Sequence, residues 1–250
     1  MSTRSQRVPL TLFFAFLAAT LALAARQAKA QDTILWDFES GELAPWKIVE
    51  GENSKPIGSR DVEFHNNSTP YQKSGKFYLT TLESSRDDAP TDDVRCVIES
   101  PVFRIEGDAI RFLVGGAGKR DDVRVELALL DDEGTPSPVL NARGDDSQGL
   151  REVLWNVPEL KGKRAFVRVV DQASGSWAHI RCDAFRIDGV LDPDGEALRD
   201  ARRELIVQEA REREAKKRQD AIDALPDAVL YVSRRQYLPD HHNTATIFQR

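Results

Sequence analysis

The 250-residue chain has only two cysteines, Cys96 and Cys182. With no histidines at ligand spacing beside them, they exclude a cysteine-built zinc site. The missing C-x-x-C-H excludes attached haem. Basic charge is also short: residues 31–193 hold 20 Lys and Arg against 30 Asp and Glu. Without a basic stripe, such a segment repels phosphate backbones and argues against nucleic acid. Beyond residue 30 no apolar run approaches the length that crosses a bilayer. Catalytic signatures are scarce as well, with no G-x-S-x-G elbow, no Cys/His pair and no E-x-D-x-E run. Gly115-Gly116-Ala117-Gly118 lacks the Lys-Ser/Thr and helix of a phosphate loop, and Asp87-Asp88 and Asp92-Asp93 lack the Gly and Glu of an EF-hand.

What is present begins with an export signal. Arg4 and Arg7 precede the uncharged Val8–Ala25 stretch, and Ala28-Lys29-Ala30 supplies a small-x-small cleavage pattern. Residues 1–30 are expected to be removed, leaving a secreted or periplasmic chain with no membrane segment. Losing Arg4, Arg7, Arg26 and Lys29 leaves 31 cations against 41 acids, a net charge of −10. In that compartment a Cys96–Cys182 disulfide is expected, worth about 4–5 kcal/mol for so long a loop. Two separate buried thiols are the alternative.

From Thr33 to Ile187 short strands alternate with turn signals. Val123–Leu129 and Phe166–Val170 alternate with the period of two that marks a strand with one face on a core. Asp131-Asp132-Glu133-Gly134 and Leu160-Lys161-Gly162-Lys163 read as hairpin-type turns. About ten strands predict an all-β antiparallel sandwich or jelly roll, galactose-binding-like or concanavalin-like, over residues 31–190. Trp36, Trp46 and Trp155 are assigned to its core. Residues 191–224 then predict one charged linker helix, with Asp194 near its N-cap. Its apolar residues Leu198, Ala201, Leu205 and Ile206 stop early, and Glu196–Ala224 would run about 40 Å as a solvated spacer.

Residues 225–250 predict an incomplete strand, Ala228–Val232, read as the truncated start of a further domain that is missing here. The run Pro239-Asp240-His241-His242-Asn243-Thr244-Ala245-Thr246 resembles the opening of secreted planctomycete proteins related to the hydrazine synthase alpha subunit. That resemblance implies a propeller-like continuation.

A second resemblance covers almost all of residues 34–187. Trp36-Asp37-Phe38-Glu39-Ser40-Gly41, Ser74–Leu79, Ile98–Ile105, Ile110–Gly116, Val153–Val157 and Gly175-Ser176-Trp177-Ala178-His179-Ile180 fall in the order found in a jelly-roll module. That module accompanies glycoside hydrolase family 32 levanases and fructosidases and does not itself cut sugar. Ala178 replaces the second glycine of the usual G-W-G-H.

Candidate site residues follow. Trp177 and His179, two apart on a strand, would share a face able to stack on a sugar, or else seal the sandwich end. Asp37, Glu39, Asp183 and Asp188 flank the first and last strands and would suit a structural calcium, or be solvated strand ends. The expected function is an exported, non-catalytic module binding carbohydrate or a cell-envelope protein. A purely structural spacer and a glycan hydrolase on the same sandwich are the alternatives.

Overall fold

The computed structural model describes residues 33–62, 69–82 and 91–224. The export signal, the tail from 225 onward and Asp87-Asp88 lie outside the described residues. The strands are β1 (Thr33–Trp36), β2 (Lys47–Gly51), β3 (Ile57–Gly58), β4 (Tyr78–Thr80), β5 (Cys96–Glu99), β6 (Phe103–Gly116), β7 (Val123–Leu130), β8 (Pro136–Ala142), β9 (Ser147–Asn156), β10 (Arg164–Asp171) and β11 (Ile180–Leu191). A 3-10 turn, Pro158–Leu160, precedes β10, and helix α1 spans Pro193–Asp223.

All pairings are antiparallel, and the sheet curls into two layers. One layer runs β8-β7-β10-β5-β2. The other runs β9-β6-β11, with β1 and β4 sharing the far edge of β11 and β3 outside β4. The layers join where Phe103 and Arg104 open β6 against Ala165 and Arg164 of β10. The fold is thus the expected all-β sandwich.

Inward side chains from both layers form one core. Phe112 stacks on Phe185 at 4.9 Å and meets the edge of Trp155 at 4.6 Å. Trp36 and Trp46 meet edge-on at 5.3 Å. These contacts bury large aromatic areas in the offset and T-shaped arrangements that rings favour.

Cys96 and Cys182 are both buried and both free, so the expected disulfide is not formed. Cys96 faces the core from β5, and Cys182 faces it from β11 in the opposite layer. Packed layers stand about 10 Å apart, whereas a disulfide needs Cα atoms within about 7 Å. Burial pushes the Cys96 thiol up to about 12 and the Cys182 thiol well above its usual range.

Two local expectations are corrected by the backbone. Leu160–Lys163 is no hairpin turn, because β9 pairs with β6 while β10 pairs with β5 and β7. Gly162 instead donates its N–H to the Ile105 carbonyl at 2.7 Å, which carries the chain from one layer to the other. The helix cap is Asp192, two residues before Asp194. Its carboxylate accepts the Gly195 N–H at 3.0 Å, with Pro193 in the first turn.

The chain divides into two units at Arg203/Glu204. Within the first, the start of α1 docks on the outer face of the β7–β10 layer, with Leu198 against Gly134 and arginines over β5 and β10. Arg199 is 2% exposed, lies over the Phe166 ring at 4.8 Å and bonds the Ser100 carbonyl at 2.9 Å. On the outward side of β7, Glu126 is buried against Arg124 and Arg168, and Ala128 packs with Phe166. In the second unit every described helix residue, from Glu204 to Ala224, is exposed, Leu205 and Ile206 included.

Candidate ligand-binding site

The loop between β10 and β11 carries Trp177. Gly175 adopts φ 82°, and its carbonyl accepts the Ala178 N–H at 3.0 Å, so the chain reverses tightly. Trp177 itself sits at φ 62°, in the left-handed region that a bulky residue enters only at a cost. Three neighbours fix the loop. Arg95 donates to the Ala173 carbonyl at 3.3 Å and to Ser174 Oγ at 2.9 Å. Arg120 donates to the Ser174 carbonyl at 3.2 Å, and the Trp177 N–H reaches Asp92 Oδ2 at 3.1 Å. Ala178, replacing the glycine, is fully buried in the core.

Trp177 is half-buried and belongs to none of the apolar clusters, unlike Trp36, Trp46 and Trp155. His179 lies against it, ring on ring at 5.6 Å and 22°, but not along a strand as expected: both residues belong to the loop before β11, which begins at Ile180. Only the indole reaches the surface, however, because His179 is 2% exposed. Its Nδ1 lies 2.7 Å from Asp92 Oδ1 and its Nε2 lies 3.3 Å from Gln148 Oε1. Burial, the largest single influence, drives the Asp92 carboxyl upward, but the bond to His179, the Trp177 N–H and the nearby positive charges together hold the group below its usual range. Under this layer lies Arg181, fully buried, over the Tyr71 ring at 4.3 Å, donating to Tyr71 Oη at 3.2 Å and to Gln148 Oε1.

Beside the loop opens a cleft of about 960 Å³, lined by Asn53, Ser54, Asp93, Arg95 and Ser174 among others. Ser174, in the same loop as Trp177, lines the cleft, and so does Asp93, next in the chain to Asp92. Sequence reasoning missed the cleft, Asp92, Gln148 and Arg181, since four separate segments supply them and no local spacing marks them. The outward position of Arg181 beside Cys182 was the one available signal.

The glycine-rich run serves packing. Gly116 has φ 106°, and a Cβ there would meet the His179 carbonyl oxygen at 2.4 Å. Gly144 likewise packs against the Gly116 backbone, where a Cβ would meet the Gly116 carbonyl oxygen at 2.2 Å.

The four acids assigned to a cation divide. Asp188 accepts a hydrogen bond from Thr33 at 3.0 Å, in the β1–β11 register. Glu39 Oε1 accepts the Lys76 and Phe77 N–H groups at 2.8 and 2.9 Å, and Asp183 Oδ2 accepts the Ser74 N–H at 2.7 Å. Burial pushes the Asp183 carboxyl up to about 7, and the charges of Glu39 and Asp37 push the same way. Among the described residues no set of three or more His, Cys, Asp or Glu has metal-ligating geometry. Asp171, also fully buried, is raised to about 7 by burial.

No family model matches the chain. Among curated proteins, ecdE of Aspergillus rugulosus, provisionally named a glycosyl hydrolase, is 33% identical over 86 residues, which is 34% of this chain and 12% of that protein. Similar solved structures include the K1 cleaved adhesin domain of Lys-gingipain from Porphyromonas gingivalis W83, at 14% identity and a TM-score of 0.39, covering 62% of this chain and 97% of that one. TmCBM61, solved with β-1,4-galactotriose, gives 17%, 0.35, 62% and 93% in the same order. A family 35 carbohydrate-binding module from Clostridium thermocellum gives 12%, 0.33, 62% and 97%. At such scores the fold rests on the strand pairing described above.

Proposed function

We propose that residues 31–190 form a non-catalytic carbohydrate-binding module of an exported protein, with the ligand resting on Trp177 and running into the neighbouring cleft. The observation that carries this reading is the setting of Trp177. A large aromatic outside every apolar cluster, held half-exposed in a costly backbone conformation by three polar anchors, contributes little to the core. Strain of that kind persists where the surroundings over-determine it, and it concentrates at ligand sites. An indole face stacks on a sugar ring, and the cleft beside the loop has a largely polar lining, Asp93 and Ser174 included, of the chemistry that hydroxyl groups bond.

On this reading the resemblance to the levanase-associated module is one of accessory role. Residues 1–30 are then the export signal, and the exposed helix from Glu204 onward a linker. Asp37, Glu39 and Asp183 do not by themselves form a ligand set, and calcium, which also takes backbone carbonyls and water, is the ion we propose uses them as part of its oxygen shell. It would neutralise surplus charge where the first and last strands meet.

An array of plant, algal and bacterial glycans tests the function. At least one should bind weakly, in the millimolar to high-micromolar range expected of a single stacking platform (about −4 to −6 kcal/mol). A folded protein that retains none would favour the structural spacer.

A further inference from the structure

We infer that Asp92 and His179 are positioning residues for Trp177, and that they act with His179 as a doubly protonated imidazolium. The inference rests on Trp177 being the ligand platform, but its test needs no ligand.

Gln148 fixes which ring contacts are acceptors. Its side-chain oxygen accepts from Arg181, which can only donate, so the atom facing His179 Nε2 is an acceptor. On the other side of the ring, Asp92 Oδ1 lies 2.7 Å from Nδ1, and a carboxylate is an acceptor too. Both ring nitrogens therefore point at acceptors. A neutral imidazole carries one N–H and would leave one of these contacts lone pair against lone pair. The imidazolium satisfies both.

That charge reaches Trp177 by two routes. The cationic ring lies parallel to the indole at 5.6 Å, within reach of a cation–π attraction. The Asp92 carboxylate, fixed by His179 through one oxygen, receives the Trp177 N–H with the other. Together they oppose the backbone cost of φ 62° at a bulky residue. Losing the second proton removes the cation–π attraction and one hydrogen bond at once, and the indole should leave its fixed setting.

Among the described residues, the groups facing His179 are Asp92 from the segment before β5, Gln148 from β9, and Trp177 before β11. Arg181 and Tyr71 lie behind Gln148. Asp171 adds charge near Asp92. Arg181 opposes a positive His179, whereas the directly bonded Asp92 supports it, and the nearer group wins.

The test is NMR of the full chain without ligand, following the His179 ring nitrogens and carbons and the Trp177 indole N–H from pH 5 to pH 9. The indole signal is assigned by its disappearance in Trp177→Phe. His179 should show the imidazolium pattern at pH 7, and on its deprotonation at higher pH the Trp177 signal should shift or broaden with the same midpoint. Asp92→Asn should move both midpoints to lower pH together, and His179→Gln should abolish the Trp177 transition. The core Trp36 and Trp155 signals should not move, which shows that the fold is intact. A neutral His179 at pH 7, or a Trp177 signal indifferent to His179 titration, would overturn the inference, and both are read from the wild-type chain even if a variant fails to fold.

Discussion

Arg199 of α1 lies 3.5 Å from Glu99 of β5, and both side chains are almost wholly buried. Glu99 also receives Arg168 at 2.9 Å and Arg203 at 2.5 Å, so one carboxylate in the outer face of the sandwich gathers three guanidinium groups. Removing the acid leaves buried cations without their counter-charge, a change that costs about 3–5 kcal/mol. Glu99→Ala should therefore lower the unfolding free energy in urea by that order. An unchanged midpoint would show that the helix docks by other means.

The cysteines give a second outcome. Both thiols should be unreactive toward a thiol-specific reagent in the native protein and fully reactive once it is unfolded without reductant. Two thiolates per chain should then be titrated. Fewer than two in the unfolded, unreduced protein would restore the disulfide.

This pair of residues also shows where the sequence was legible. Period-two alternation and turn signals located the sandwich, and the three core tryptophans followed from their apolar strands. The disulfide expectation failed because both Cys96 and Cys182 read as inward strand positions, while nothing in the sequence says which layer each strand joins. The helix contact was hidden for a related reason. Arg199 and Arg203 read as solvated charge until Glu99, about a hundred residues earlier, is placed beneath them. For the site, Trp177 and His179 were picked out by a strand spacing, whereas a tight loop is what brings their rings together. Asp92, Gln148 and the cleft depend on long-range register.

Asp171 and Asp183 set the expected pH dependence. Both carboxyls have folded values near 7, above the ordinary carboxylate value that the unfolded chain shows. The folded state then binds more protons between about pH 4 and pH 7, so stability falls as pH rises through that window. In EDTA, the loss between pH 4 and pH 8 should be on the order of a few kcal/mol. Asp171→Asn should flatten the profile and stabilise the protein at pH 8. A profile rising from pH 4 to pH 8 in EDTA would contradict this.

Calcium should act on the same profile from the other side. At pH 8, millimolar calcium should raise the melting temperature, and magnesium should raise it less, because calcium accepts irregular oxygen sets. Asp183→Asn should abolish the rise. A melting temperature indifferent to calcium in the wild-type chain would leave Asp37, Glu39 and Asp183 without a metal role.

The central claim, that Trp177 is a ligand platform, is tested most directly by calorimetric titration of Trp177→Ala with the best glycan from the array. The account expects binding to weaken by about 1–3 kcal/mol, roughly a factor of five to a hundred and fifty in Kd, or to vanish. Unfolding in urea should shift by less than about 1 kcal/mol, with the β-sheet circular dichroism unchanged. A loss of about 3–5 kcal/mol in stability, the cost of truncating a core aromatic, or undiminished affinity in a folded variant, would contradict it.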